Sequence, residues 1–232
     1  MTTLIITGAS KGIGLAVARR FLHDGYRVIN IARTPAPDDT IENHRLDLST
    51  GDVEDRLREL LDRIISREKI CLVHNASAHL NDTITSCDPN QLQRVMNTNI
   101  VVPHILNQMV LPDMLDGSSI IYVGSTLSEK AVPGAYSYVI SKHAMVGMMR
   151  ATCQDLAGRE IHTTCVCPGF TDTEMLREHA GNDDETLSAI AAMSTFNRLV
   201  EPPEIAETVW FAARNPVING AVIHANLGQV EH

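Results

Sequence analysis

The stretch Tyr138-Val139-Ile140-Ser141-Lys142 carries two groups that can handle a proton together. A spacing of four places Tyr138 and Lys142 on one face of a helix. A phenol ionises near about pH 10, too high for ready proton transfer at neutral pH. A neighbouring ammonium stabilises the phenolate. The pair then suits a general acid/base acting on a carbonyl and its alcohol. Tyr136 has Ile140 four residues on and lacks such a partner. A Tyr-x3-Lys pair also arises by chance on surface helices, so the spacing alone leaves a plain solvated pair open. Ser125 follows the apolar run Ile120–Val123. It suits a hydrogen bond to a developing alkoxide while Tyr138 gives the proton. Its other reading is a loop serine that caps a turn.

A second set sits near the start, in Thr7-Gly8-Ala9-Ser10-Lys11-Gly12-Ile13-Gly14. Glycine lowers helix propensity, so local stability gives no reason for Gly8, Gly12 and Gly14. A strand, a glycine-rich turn and a helix N-terminus together make an anion site, because orphan N–H groups and the helix dipole face the ligand. Gly8 permits the tight turn, Gly12 lets the backbone approach a pyrophosphate, and Gly14 lets the helix pack close to the strand. An ordinary Gly-rich turn is the competing reading. Dinucleotide sites for NAD place an acid about 20 residues beyond the loop. Here that region reads Ile31-Ala32-Arg33. Lys11 and Arg33 instead suit a clamp on a 2′-phosphate, which favours NADP(H) over NAD(H). Arg33 as a solvated loop charge is the alternative.

These groups need a scaffold that brings them together, and the chain alternates strand and helix throughout. Strands are expected at Leu4–Thr7, Val28–Ile31, His44–Leu46, Ile70–His74, Ser119–Val123, Ile161–Val166 and Ala221–His224. Helices are expected at Gly12–Asp24, Val53–Arg67, Pro89–Leu115 (two helices meeting near Asn99), Tyr136–Gly158 and Glu204–Arg214. Such alternation predicts an α/β fold, a doubly wound parallel sheet of about seven strands with helices on both faces. The connection Ala32–Asn43 is Pro-rich, and a full helix there is doubtful. One domain over residues 1–232 is expected. Within it, Phe170–Val200 is a long polar-hinged stretch carrying Met175, Leu176, Ile190, Met193 and Phe196, either a substrate lid or the inner face of ordinary helices.

A formal net charge of −9 argues against a non-specific nucleic-acid partner. No apolar run is long enough for a membrane span, and the N-terminus has no secretory pattern. Five cysteines fit reduced thiols in a cytoplasmic protein. Cys165 and Cys167 read as part of a buried strand rather than a metal site, so no metal is expected.

In this order the motifs resemble the short-chain dehydrogenase/reductase family over nearly the full length, with a branch of 3-oxoacyl-carrier-protein reductases close by. The glycine loop, Ser125 and Tyr138-x3-Lys142 match its cofactor loop and active-site motifs, and Asn99 matches the asparagine that supports a water-linked proton relay. The resemblance implies a Rossmann-type fold and hydride transfer between nicotinamide and a carbonyl or secondary alcohol. Tyr138 would be the acid/base, Lys142 would hold the nicotinamide ribose, and Ser125 would polarise the carbonyl. It also implies cofactor contacts from Ser10, Ile13, Asp47, Leu48, Asn75, Ala76, Pro168, Gly169, Thr171 and Thr173. Ser77 stands where the family has glycine, and His74 reads as a strand-end residue. A small free ketone, aldehyde or secondary alcohol is the first substrate choice. A 3-oxoacyl thioester is the alternative, weakened because Leu115-Asp116-Gly117-Ser118-Ser119 lacks bases for docking an acidic carrier. A non-catalytic NADPH-binding regulator is the rival from another class. A hydrolase using Ser125 lacks the G-x-S-x-G elbow. The family commonly forms homodimers or homotetramers through the segments Asn99–Leu115 and Tyr136–Gly158, and Met145, Met148 and Met149 fit either core or subunit contact.

Overall fold

Along β1 (Thr2–Thr7) successive side chains enter two different cores. Leu4 and Ile6 pack with Val17, Phe21 and Val209. Ile5 packs with Leu57, Leu106 and Met149. A strand buried on both faces belongs to a sheet covered by helices on each side. The structure, a computed structural model, describes residues 2–230. The other strands are β2 (Arg27–Ala32), β3 (Glu42–Arg45), β4 (Lys69–His74), β5 (Ser119–Val123), β6 (His162–Pro168) and β7 (Val222–Ala225). All seven are parallel in one sheet of order β3-β2-β1-β4-β5-β6-β7. The chain builds outward from β1 to β3, then returns to set β4 beside β1. That reversal opens a crevice at the C-terminal ends of β1 and β4.

In chain order the helices are α1 (Gly12–His23), α2 (Val53–Ile64), α3 (Pro89–Met96), α4 (Val102–Val110), α5 (Tyr136–Asp155), α6 (Glu174–His179), α7 (Asp184–Ala191) and α8 (Pro202–Arg214). Helices α1 and α8 supply one core. Helices α2, α4 and α5 supply the other. Met145 and Met149 are core residues here, and Met148 packs partly against them. The two helices expected to meet near Asn99 are α3 and α4, joined by a π-helical turn over Asn97–Val101. Such turns recur at functional sites, because the wider coil turns a side chain inward.

Several element boundaries differ from the sequence expectation, and three of the differences have a visible cause. Strand β3 runs Glu42–Arg45 rather than His44–Leu46, because its register is set by polar contacts. Arg27 donates two hydrogen bonds to Glu42 Oε2, at 3.0 and 2.6 Å. Asn43 Oδ1 accepts from Asn30 Nδ2 at 2.9 Å and from the Ala36 N–H at 2.8 Å. Helix α2 stops at Ile64 rather than Arg67, since Ile65 is extended. The Ile64 carbonyl is taken instead by Arg27 Nη1 at 2.8 Å. Helix α8 begins at Pro202 rather than Glu204, with Pro at its first turn and a Glu201/Glu204 capping box. The connection between β2 and β3 holds no helix. Buried Ala36 and Ile41 fill its place against the α1 core.

Candidate active site

The glycine loop leaves β1 with Gly8 at φ +72°. A Cβ on Gly8 would lie 3.0 Å from the Ala76 Cα, and one on Gly14 would lie 2.3 Å from the Gly8 carbonyl oxygen. Neither position accepts a side chain without moving backbone, so α1 presses directly onto the loop. Asn75, at the end of β4, fastens this arrangement. Its Nδ2 donates to the Thr7 and Gly8 carbonyls at 3.0 and 2.9 Å. Thr7 Oγ1 accepts from the Asn75 and Ala76 N–H groups at 3.1 and 3.0 Å. Asn30 on β2 accepts from the Ala9 N–H at 2.9 Å. Ser10 donates to the Thr34 carbonyl and so ties the loop to the β2 end.

The loop opens on a cavity of about 940 Å³. Gly8, Ser10, Lys11, Gly12, Ile13 and Gly14 line one end, with Arg33, Asp47, Leu48 and Ala76. Ser125, Tyr138 and Lys142 line the middle, with Pro168, Gly169, Thr171 and Thr173 beside them. Asp47 Oδ1 accepts from the Ser49 N–H and Oγ at 2.9 and 2.7 Å. Those bonds, helped by Arg33 and Arg94, hold its carboxyl below the ordinary value. A concave loop with no room for Cβ atoms, followed by cations beside a carboxylate, fits a dinucleotide.

Lys11 is paired within the chain. Its Nζ pairs with Glu174 at 2.5 Å, and Glu178 lies at 3.9 Å. The first turn of α6 carries Glu174 to the glycine loop, so this ammonium meets a carboxylate of the chain itself. Thr173 comes with it and caps α6 by accepting from the Leu176 N–H at 3.3 Å.

Helix α5 brings Tyr138 and Lys142 to the same cavity. Lys142 is only 2 % exposed. Its Nζ donates to the Val123 carbonyl at 2.8 Å and lies 5.4 Å from the Tyr138 ring centroid. Ser125 caps the short turn Thr126–Ser128, its Oγ accepting from the Leu127 N–H at 3.1 Å. This serine caps a turn, and it also lines the cavity. Asn99 is fully buried in the π-helical turn. Its Oδ1 accepts from the Ala78 N–H at 2.7 Å, and its Nδ2 donates to the Ala78 carbonyl and Ser141 Oγ at 3.0 and 2.9 Å. Ser141 Oγ donates in turn to the Tyr138 carbonyl at 2.8 Å.

The profile of the short chain dehydrogenase family matches residues 2–184. The chain belongs to the short-chain dehydrogenase family. It is 29% identical over 237 residues to the 3-oxoacyl-[acyl-carrier-protein] reductase of Vibrio harveyi, covering 97% of this chain and 95% of that one. The solved angucycline C-6 ketoreductase LanV with bound NADP is 28% identical, with TM-score 0.86 and coverage of 98% and 95%. The ligand-free aldohexose dehydrogenase of Thermoplasma acidophilum is 26% identical, with TM-score 0.89 and coverage of 98% and 93%. Within the family the chain resembles the 3-oxoacyl-carrier-protein reductase branch. Short-chain dehydrogenases are oxidoreductases that bind a nicotinamide cofactor and act on small molecules.

Three cavity residues of this short-chain dehydrogenase carry no signal in the sequence. His79 sets its ring edge-on to Tyr138, centroids 4.5 Å apart. Arg94, on α3, acts on Asp47 from the side opposite in sequence to Arg33. Glu174 holds Lys11. Each acts across long sequence separations, so no local spacing marks it. His74 is a strand-end residue, as its position suggests: it is buried, with Nε2 2.8 Å from Asn107 Oδ1. Burial lowers its pKa to about 4. Cys165 and Cys167 are buried in β6, and no group of three metal-ligating side chains occurs among the described residues. Among those residues no helix is long and apolar enough to cross a membrane.

Proposed function

We propose that this short-chain dehydrogenase is an NADP(H)-dependent enzyme that interconverts a carbonyl group and its alcohol, with Tyr138 as general acid/base. The observation that carries the reading is the buried Lys142 ammonium, anchored on Val123 and 5.4 Å from the Tyr138 ring, in the cavity that also receives the glycine loop. Ser125 donates to the carbonyl oxygen of the substrate. Tyr138 gives that oxygen its proton in reduction and takes it back in oxidation. Lys142 stabilises the phenolate and binds the nicotinamide ribose. Asn99 supports the proton path by locking α5 to the segment that holds Ala78. Bound here, NADP(H) supplies or accepts the hydride.

The backbone of Gly8, Ser10, Gly12, Ile13 and Gly14 would cradle the pyrophosphate. Asp47 and Leu48 would meet the adenine, with Asn75 and Ala76 under the loop. Pro168, Gly169, Thr171 and Thr173 would face the nicotinamide end. Arg33 favours a 2′-phosphate, and Arg94 beside the same carboxylate adds a second guanidinium there. Lys11 would add its ammonium from the glycine loop, where it pairs with Glu174. The segment 170–200 serves as a lid, with Met175 half-exposed at the cavity. The cavity walls also include apolar Leu80, Leu127, Val132 and Leu176. They suit an apolar ketone, aldehyde or secondary alcohol. The relative from Vibrio harveyi favours a second reading, a 3-oxoacyl thioester substrate. Assembly as a homodimer or homotetramer and a cytoplasmic setting accompany either reading.

The test follows NADPH absorbance against a panel of ketones, aldehydes and 3-oxoacyl thioesters, with NADH in parallel. Turnover faster with NADPH supports the reading, and the best substrate chooses between its two forms. Tight NADPH binding with no turnover of any member would count against catalysis and for a cofactor-binding regulator.

A further inference from the structure

Helix α5 begins at Tyr136, and its cap position, Ala135, has no side chain to accept a helix N–H. The first turn of a helix leaves such donors orphaned. Other helices here solve this locally: Asp88 caps α3, Thr173 caps α6 and Asp183 caps α7 from their own cap positions. For α5 the acceptor comes from far away in sequence. Asp82 Oδ1 accepts from the Ser137 N–H at 3.0 Å. The Asp82 carbonyl accepts from the Tyr136 N–H at 3.1 Å, and the Asp82 N–H donates to the Gly134 carbonyl at 3.1 Å. Asp82 is only 4 % exposed. One residue thus holds the start of α5 by its donor, its carbonyl and its carboxylate.

The same connecting segment reaches Tyr138 by another route. Ala78 is gripped at both backbone groups by Asn99. Between that grip and Asp82, His79 packs edge-on against the Tyr138 ring. Tyr138 lies in the first turn of α5. A cap at Ala135 itself would stabilise the helix equally well, but it would not tie that turn to the wall facing the substrate.

We infer that Asp82 is a positioning residue for Tyr138, capping α5 from outside the helix so that its first turn and the phenol it carries are fixed against the 78–82 segment. This rests on the reading of Tyr138 as the acid/base. Burial raises the Asp82 pKa, but the hydrogen bond from the Ser137 N–H, with Cys87 and His79, outweighs it and holds the carboxyl below its ordinary value. The carboxylate is therefore ionised at neutral pH, at the positive end of the α5 dipole. Lys142 on α5 and His79 on the 78–82 segment lie against the Tyr138 ring, and Cys87 and His79 act on the Asp82 carboxylate.

The experiment uses Asp82→Asn and Asp82→Ala in the full chain. Asp82→Asn keeps an acceptor for Ser137 and removes the charge. Asp82→Ala removes both. The readouts are kcat and KM for the carbonyl with NADPH, NADPH affinity, and hydrogen exchange of the backbone amides at the start of α5. Asp82→Ala is expected to lose about tenfold or more in kcat, with NADPH affinity within about twofold. Asp82→Asn is expected to stay within about threefold of the wild-type kcat, because its amide oxygen still accepts from Ser137. The amides of Tyr136, Ser137 and Tyr138 are expected to exchange about tenfold faster in Asp82→Ala and near the wild-type rate in Asp82→Asn. Unchanged kcat and exchange in Asp82→Ala, or a change in melting temperature alone, would overturn the assignment. Should Asp82→Ala not fold, Asp82→Gln, whose longer side chain misplaces the acceptor, takes its place with the same expectations. Should the wild-type chain reduce no carbonyl, the functional reading fails by itself. The exchange, which needs no substrate, then decides for Asp82 if it quickens and against it if not.

Discussion

The Lys142 ammonium reaches from α5 to the carbonyl of Val123, the last residue of β5, and in doing so passes 5.4 Å from the Tyr138 ring centroid. The strand end therefore fixes where the helix holds its charge. Replacing Lys142 by Met keeps the buried stem and removes the ammonium. The expected loss in kcat is about 10²–10³-fold, with the protein still folded. Steady-state kinetics alongside circular dichroism checks it.

In the proposed function, the guanidinium groups beside Asp47 set the cofactor preference. Arg33→Ala should weaken NADPH binding by about 10–100-fold and leave NADH within about threefold, since only the former offers a phosphate for a charge-assisted fork. Arg94→Ala should move the same ratio in the same direction by a smaller factor. Fluorescence titration with both cofactors measures this. Equal losses for both cofactors would assign these residues to general packing.

Gly14 gives a prediction whose sign is informative. By helix propensity alone, Gly→Ala at this place in α1 would stabilise by about 1 kcal/mol. The added Cβ would instead meet the Gly8 carbonyl oxygen at 2.3 Å and Asn75 Nδ2 at 2.4 Å. Gly14→Ala should therefore destabilise by about 2 kcal/mol or more, read from the urea midpoint, and should impair cofactor binding.

His74 should make stability depend on acid. Its folded pKa is about 4, below the ordinary value of 6.5, because burial disfavours the charged ring. Below pH about 6.5 the unfolded chain takes up a proton that the folded chain refuses, so stability falls as pH drops toward 4. The loss amounts to up to about 3 kcal/mol across that window. His162, also lowered by burial, acts in the same direction. His74→Asn should flatten the fall between pH 6.5 and 4 in urea unfolding, and an unchanged slope would assign the acid sensitivity elsewhere.

Much of the site was legible because its markers are local. Gly8, Gly12 and Gly14 stand in one short segment, and Tyr138 and Lys142 stand one helical turn apart, so spacing puts them on one loop and one helix face, while their roles come from the family resemblance. Strand boundaries were legible where burial is apolar, as at Ser119–Val123, and misplaced where polar contacts set the register, as at Glu42 and Asn43. The break in the helix near Asn99 was visible, but its π-helical form was not, because it depends on Ala78 and Ser141 meeting one side chain. Lys11 illustrates the remaining gap. Its place in the loop points to a phosphate, while the residue that holds it, Glu174, lies 163 positions away. Arg94 and His79 were missed for the same reason: their partners come from other elements.

In the proposed function, Tyr138 carries the proton in a reaction driven by a nicotinamide cofactor. The most direct measurement compares NADPH consumption by the wild-type chain and Tyr138→Phe on the best carbonyl of the panel, with NADPH affinity measured for both. The account predicts a loss of about 10³-fold or more in kcat with affinity within about threefold. Equal turnover by the two proteins would contradict it.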